Sequence, residues 1–197
     1  MLAATSLAVA LALMLAACGS DDPASTNTTT AAQAAGESTN ATALNAADVE
    51  FAQGMIAHHE QAIEMAEIAL DPNIGASPEV VDLATRIKGA QDPEVQKMTA
   101  WLTAAGEPVM IDSTEGHDMS SMDGMMTAEQ MDAMSASTGT EFDTMWLEMM
   151  IAHHQGAISQ SQTVKANGSN TDVLALADQI ITAQQAEITE MQALLQG

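Results

Sequence analysis

From Asn45 onward, apolar residues recur at helical steps: Val49, Phe51, Met55, Ile56, Ala62, Ile63, Ala66 and Ile68. That spacing lines one face of an α-helix. Asn45, with Asp48 three residues on, forms an N-cap pattern that opens the helix. Asp71-Pro72-Asn73-Ile74-Gly75 breaks the chain after Leu70. Ser77-Pro78-Glu79 predicts a second helix, with Ser as cap and Pro in the first turn, running to about Ala105 before Gly106 and Pro108. Pro93 falls inside it and predicts a kink or short break near Gln91. Residues 107–126 carry no helical period. Thr127 with Gln130 predicts a capping box for a short helix to about Ala136. Thr140 is the expected cap of a long helix ending near Gly168, and Asn170 or Thr171 starts a last helix that runs to the C-terminus.

The second half repeats the first. Phe51 matches Trp146, Met55-Ile56-Ala57-His58-His59 recurs as Met150-Ile151-Ala152-His153-His154, and Ala62-Ile63 matches Ala157-Ile158. In the partner helices Ile87, Gln91, Glu94, Val95 and Met98 match Ile180, Gln184, Glu187, Ile188 and Met191. Two copies of a helical hairpin predict an all-α four-helix bundle with approximate two-fold symmetry. Repeat 1 spans 45–106, a methionine-rich connector 107–139, and repeat 2 140–197. A bundle domain over 45–197 results.

Ahead of it, residues 2–17 are apolar but short for a membrane span. The run ends in Leu15-Ala16-Ala17-Cys18-Gly19, which resembles a bacterial lipobox. The expectation is a lipoprotein signal peptide over 1–17 and an acylated Cys18. No Lys or Arg precedes the run, so the native start is expected upstream of Met1. Residues 18–44, rich in Ser, Thr, Ala and Asn, read as a disordered tether. The protein is thus expected to be exported and lipid-anchored to the bacterial cell membrane, facing the periplasm or the cell exterior. Cys18 is the only cysteine, so no disulfide and no free thiol remain.

The chain has 27 acidic and 4 basic residues and a net charge of −23. That excludes nucleic acid as a partner, because phosphate binding needs Lys and Arg. It favours a solvated surface that attracts cations. With two Trp, two Phe and no Tyr, the core must be built of Ala, Leu, Ile, Val and Met, a set that suits helices.

Imidazole and thioether suit soft and borderline transition metals, copper above all. Four of the five histidines lie in the two repeated motifs, and the fifth, His117, opens the methionine-dense connector. On a helix Met55 projects between His58 and His59, and Met98 lies one turn from Glu94. The candidate ligands are therefore Met55, His58, His59 and Met98 in one half and Met150, His153, His154 and Met191 in the other. Each half would offer two imidazoles and two thioethers. The competing reading has Glu94, Gln91, Glu187 and Gln184 hydrogen-bonding all four rings as core residues. An intermediate reading makes one His of each pair structural and turns the other toward a ligand. His117, Met119, Met122, Met125 and Met126 lie among Gly, Ser and Asp with no evident core to enter, and predict a weak, exchangeable Cu(I) site. Met131 and Met134 are expected to face the core from the short helix. No Glu-x-x-His, His-Glu-x-x-His, phosphate loop or nucleophile motif occurs, so no enzymatic activity is expected.

The doubled Met-Ile-Ala-His-His motif, with Gln91-x-x-Glu94-Val95-x-x-Met98-x-x-Trp101-Leu102 and its counterpart from Gln184, resembles the domain of unknown function 305 (DUF305) family over residues 48–195. The resemblance implies a ferritin-like four-helix bundle, exported, with some members described as copper-binding or copper-resistance proteins. Two departures are Pro93 within the second helix and Leu194 where the first copy has Trp101. The expected function is copper binding or sequestration outside the cytoplasm, in metal homeostasis or resistance. Cu(I) is the preferred ion, with Cu(II) and Ag(I) also admissible. The alternative is a structural helical envelope protein with buried His–Glu networks. Whether the bundle forms a homodimer, and which protein accepts its metal, stay open.

Overall fold

The computed structural model describes residues 43–110 and 122–197 of the chain. Among them lie five helices: α1 (Ala46–Leu70), α2 (Pro78–Ala105), α3 (Ala128–Ala136), α4 (Gly139–Asn167) and α5 (Thr171–Leu194). Helices α1 and α2 form one hairpin and α4 and α5 the other, and α1 packs against α4 between them. The four long helices make an all-α bundle, with α3 an addition beside α4. No helix among the described residues is long and apolar enough to cross a membrane.

Local chemistry sets the helix ends. The Asn45 side chain accepts from Asp48 N at 2.8 Å while the Asp48 carboxylate accepts from Asn45 N at 2.9 Å, closing a capping box. Ser77 caps α2 with Pro78 in its first turn, and Gly106 ends that helix at φ 75°, the left-handed conformation usual at a C-cap. Thr127 and Gln130 form the capping box of α3. Two expectations need correction. The expected break is absent, and helix α2 is continuous through Pro93. Pro93 and Gly89, whose carbonyl loses its helical partner, are both exposed, so water can take up the freed acceptor. Helix α4 starts at Gly139 rather than after Thr140, because Gly139 N donates to Ile74 O at 2.9 Å and fixes the first turn against the α1–α2 loop.

The hairpins lock onto one another in a two-fold pattern. Buried Asp48 on α1 accepts from Ser169 N and Asn170 N, each at 3.1 Å, in the α4–α5 turn. Its repeat partner Asp143 on α4 accepts from Ser77 N at 3.1 Å in the α1–α2 turn.

The core falls into two apolar clusters. One joins Met65, Leu83, Ile87, Phe142, Trp146, Met150 and Met191, so it uses the C-terminal half of α1 and α5 and the N-terminal half of α2 and α4. The other joins Phe51, Met55, Met98, Leu102, Val164, Leu176 and Ile180, from the opposite half of each helix. Helices α1 and α4 therefore run antiparallel. On every long helix, the buried side chains between the two clusters are polar: His58 and His59, Gln91, His153 and His154, and Gln184.

Candidate metal centre

Those intervening residues make a buried polar layer. Helix α1 contributes His58 and His59, α4 contributes His153 and His154, and all four rings are fully buried. Helices α2 and α5 add buried Gln91 and Gln184, with Glu94 and Glu187 reaching in at 21% and 16% side-chain exposure. The outer histidine of each pair bonds within its own hairpin. His59 Nε2 lies 2.8 Å from Glu94 Oε2, and His154 Nε2 lies 2.7 Å from Glu187 Oε2. The inner histidines meet across the hairpins, with the His58 and His153 ring centroids 3.8 Å apart and the planes tilted by 46°. His58 Nε2 also lies 3.3 Å from the Asp123 carbonyl oxygen.

Much of this layer is left without hydrogen bonds. Nδ1 of His58, His59 and His154, both ring nitrogens of His153, and Oε1 of Gln91 and Gln184 are buried with no partner. The His58 backbone lies close to the His153 ring but falls short of hydrogen-bond geometry. Buried polar atoms of native proteins are normally satisfied. Here ring nitrogens and amide oxygens, which can carry lone pairs, collect in the layer between the two apolar clusters. Burial pushes the His58 imidazole down to about 3, and the nearby His59 ring adds to the effect. Burial, then repulsion from His58, also holds His153 well below the ordinary histidine value. These two rings are therefore neutral at neutral pH and present lone pairs instead of charge. Among the described residues no three His, Cys, Asp or Glu side chains converge in a way that could hold a cation. Any ion held here would draw on a few imidazoles and on methionine sulfur, a set for a soft, low-coordinate ion.

The thioethers bracket the layer. Met55 and Met98 belong to one apolar cluster and Met150 and Met191 to the other, all four fully buried. The two halves thus send their methionine pairs to opposite sides of the histidine plane.

Residues 122–126 of the connector lie over the layer as a strap. Gln61 Nε2 donates to Met126 O at 2.9 Å and Met126 N donates to Gln61 Oε1 at 2.7 Å. At Gly156, the repeat counterpart of Gln61, a Cβ would stand 1.9 Å from Asp123 O. Gly54 leaves a notch in which the Met122 sulfur lies 3.7 Å from the place a Cβ would take. Met122 and Met125 are half-buried, but Met126 is 7% exposed and packs into the first cluster. The expectation that the connector finds no core through Met126 is corrected there, because the Gln61 clamp draws that side chain inward. Met134 is buried and Met131 packs against the same cluster. His117, Met119 and Cys18 lie outside the described residues. Sequence reasoning missed Gln61, Gly156 and the Asp123 carbonyl. The one available signal was that Gln61 and Gly156 differ at matched places in the repeat.

The comparisons agree with this architecture. A DUF305 crystal structure from Streptomyces coelicolor, described as a secreted protein, superposes with a TM-score of 0.68 at 27% identity, over 76% of this chain and 91% of that one. A DUF305 fragment from Deinococcus radiodurans gives 0.68 at 28% identity, over 77% and 97%. CopM in its Cu(I)-bound form gives 0.62 at 30% identity, over 76% and 95%, and further CopM structures hold Cu(II) or silver. No curated protein matches the chain. The family model of the domain of unknown function DUF305 matches residues 48–195, which takes in both histidine pairs, both glutamates and the strap: the chain belongs to the DUF305 family.

Proposed function

We infer that this protein captures copper outside the cytoplasm and holds it as Cu(I) in the histidine layer of the bundle. The observation that carries the reading is the collection of unpartnered ring nitrogens around the close His58–His153 ring pair, buried and bracketed by four methionines. A monovalent soft cation is the species such a set accommodates best. CopM, similar in fold and sequence, binding Cu(I), Cu(II) and silver supports it. The −23 charge concentrates cations at the surface. Met122 and Met125 on the strap offer the first sulfurs, and Met122 reaches the notch at Gly54, one turn before His58. The tighter ligands are His58 and His153 with Met55, Met98, Met150 or Met191. Anchoring through an acylated Cys18, with His117 and Met119 as further surface ligands, belongs to the same reading. The role is sequestration or transfer of metal, not turnover.

Anaerobic Cu(I) titration against a competing chelator tests this. The wild type is expected to retain copper, and His58→Ala with His153→Ala to weaken retention at least tenfold while circular dichroism stays helical. A second reading, a structural layer only, takes its support from the glutamates on His59 and His154. It would be favoured if the double variant held copper as the wild type does, or if neither bound any.

A further inference from the structure

The cover over the His58–His153 rings is one chain thick. Both rings are fully buried, yet Asp123, whose carbonyl oxygen lies 3.3 Å from His58 Nε2, is an exposed residue. Residues 122–126 hold a tight turn, closed by Met125 N donating to Met122 O at 3.1 Å, with Gly124 at φ 84°, a conformation that favours glycine. Among the described residues, the hydrogen bonds that seat this strap on the bundle all go to α1. Two join Gln61 to the Met126 backbone and one joins His58 to Asp123. Against α4 the strap rests backbone on backbone. A Cβ on Gly124 would stand 2.7 Å from Ala152 O and 3.0 Å from His153 O, and one on Gly156 would stand 2.9 Å from Gly124 Cα.

The seat breaks the repeat where the histidine motif keeps it. Met55–His59 recurs without change, but Gly54 and Gln61 on α1 stand where α4 has Met149 and Gly156. A single strap across a near two-fold seam needs two unlike walls, and Gly54, Gln61 and Gly156 are the positions that meet it. We propose that residues 122–126 are a releasable cover latched by Gln61, and that Cu(I) reaches and leaves the His58–His153 pair when the strap lifts, with the four long helices still packed. This rests on the copper-binding reading and adds the route of exchange. Separating the helices would open both apolar clusters, whereas lifting the strap breaks three hydrogen bonds and disturbs one buried side chain, Met126. At roughly fivefold per bond, those bonds alone limit the lifted form to about one molecule in a hundred, a local opening that needs no global unfolding.

Carbethoxylation of histidine by diethyl pyrocarbonate at neutral pH, on the metal-free full chain and quantified residue by residue by tandem mass spectrometry, tests the cover without copper. Gln61→Ala removes two of the three bonds, and Gly124→Ala drives the strap off α4 from its own side without altering a helix. Each should raise the initial rate at His58 and His153 by about 10- to 30-fold. His59 and His154, held by Glu94 and Glu187, should keep the wild-type rate. Gly89→Ala on α2 should change none of the four. Anaerobic transfer of Cu(I) from each loaded variant to an excess of competing chelator should speed up by the same factor, with uptake accelerated in step so that Kd is unchanged. Equal acceleration of carbethoxylation at all four histidines, or none at His58 and His153, overturns the proposal. So does an unchanged rate of Cu(I) transfer, which would send the ion past the partly exposed Glu94 and Glu187 instead. A chain that takes up no Cu(I) overturns the copper reading, while the carbethoxylation rates still decide whether the strap is a releasable cover.

Discussion

The strap over the histidine layer depends on a missing side chain. At Gly156 an added Cβ would stand 1.9 Å from Asp123 O, 2.6 Å from Asp123 C and 2.9 Å from Gly124 Cα. These are backbone atoms, so no rotamer change relieves the clash, and the strap must retreat by roughly 1.5 Å to reach van der Waals contact. Retreat breaks the two Gln61–Met126 bonds and the His58–Asp123 contact. At about 1 kcal/mol each they cost about 3 kcal/mol. If Met126 leaves the core with them, about 2 kcal/mol of burial is lost as well. Alanine returns about 1 kcal/mol of helix propensity. Gly156→Ala should therefore lower stability by about 2 to 4 kcal/mol in urea denaturation followed by helical circular dichroism. The Met126 amide, now bonded to Gln61, should exchange with solvent much faster. Gly89→Ala is the control, because it lies mid-helix in α2 with nothing within 4 Å of its Cβ position. It should stabilise by up to about 1 kcal/mol. If Gly156→Ala matches Gly89→Ala, or stays within about 0.5 kcal/mol of wild type, the strap does not press on α4 as described.

Acid should weaken the fold through His58. Its folded value is lowered to about 3 against 6.5 for a free imidazole, so between these limits the unfolded chain binds a proton that the folded one does not. Stability is complete above about pH 6.5 and falls below it, by about 2 kcal/mol at pH 5 from this ring, with His153 acting in the same direction; a flat stability profile from pH 7 to 5 would refute burial of neutral rings. Asp48→Ala should cost about 3 kcal/mol, because it strands the Ser169 and Asn170 amides, and Asp143→Ala about half as much, since the residue receives only the Ser77 amide; denaturation midpoints that leave the two variants equal to wild type would refute the paired lock. Silver at a hundredfold excess over its Kd should stabilise the bundle by about 2.7 kcal/mol, read as a thermal shift, and no shift would contradict ion binding in the core.

The helices were legible because their ends are written in single residues: Asn45 with Asp48, Ser77 before Pro78, Gly106, Thr127 with Gln130, and Asn170. Pro93 misled because its effect depends on whether the freed carbonyl is buried, and burial is a tertiary property. The repeat gave the symmetry of the layer, since matched motifs had to meet near a two-fold axis. It did not give the division of labour within each His-His pair. The outer rings took the carboxylates and the inner rings met each other across the hairpins. Spacing fixes which side of a helix a residue faces but not which neighbour arrives there. The connector was least legible. Its methionines sit in polar sequence, and the contact that buries Met126 comes from Gln61, 65 residues earlier in the chain.

In the proposed function the ion lies inside the bundle, between α1 and α4 at the level of the His58–His153 rings. Anomalous diffraction at the copper edge from crystals loaded anaerobically with Cu(I) measures this directly. A peak within bonding distance of His58 and His153 is expected. Peaks confined to surface methionines, with the His58–His153 plane empty of anomalous density, would contradict it.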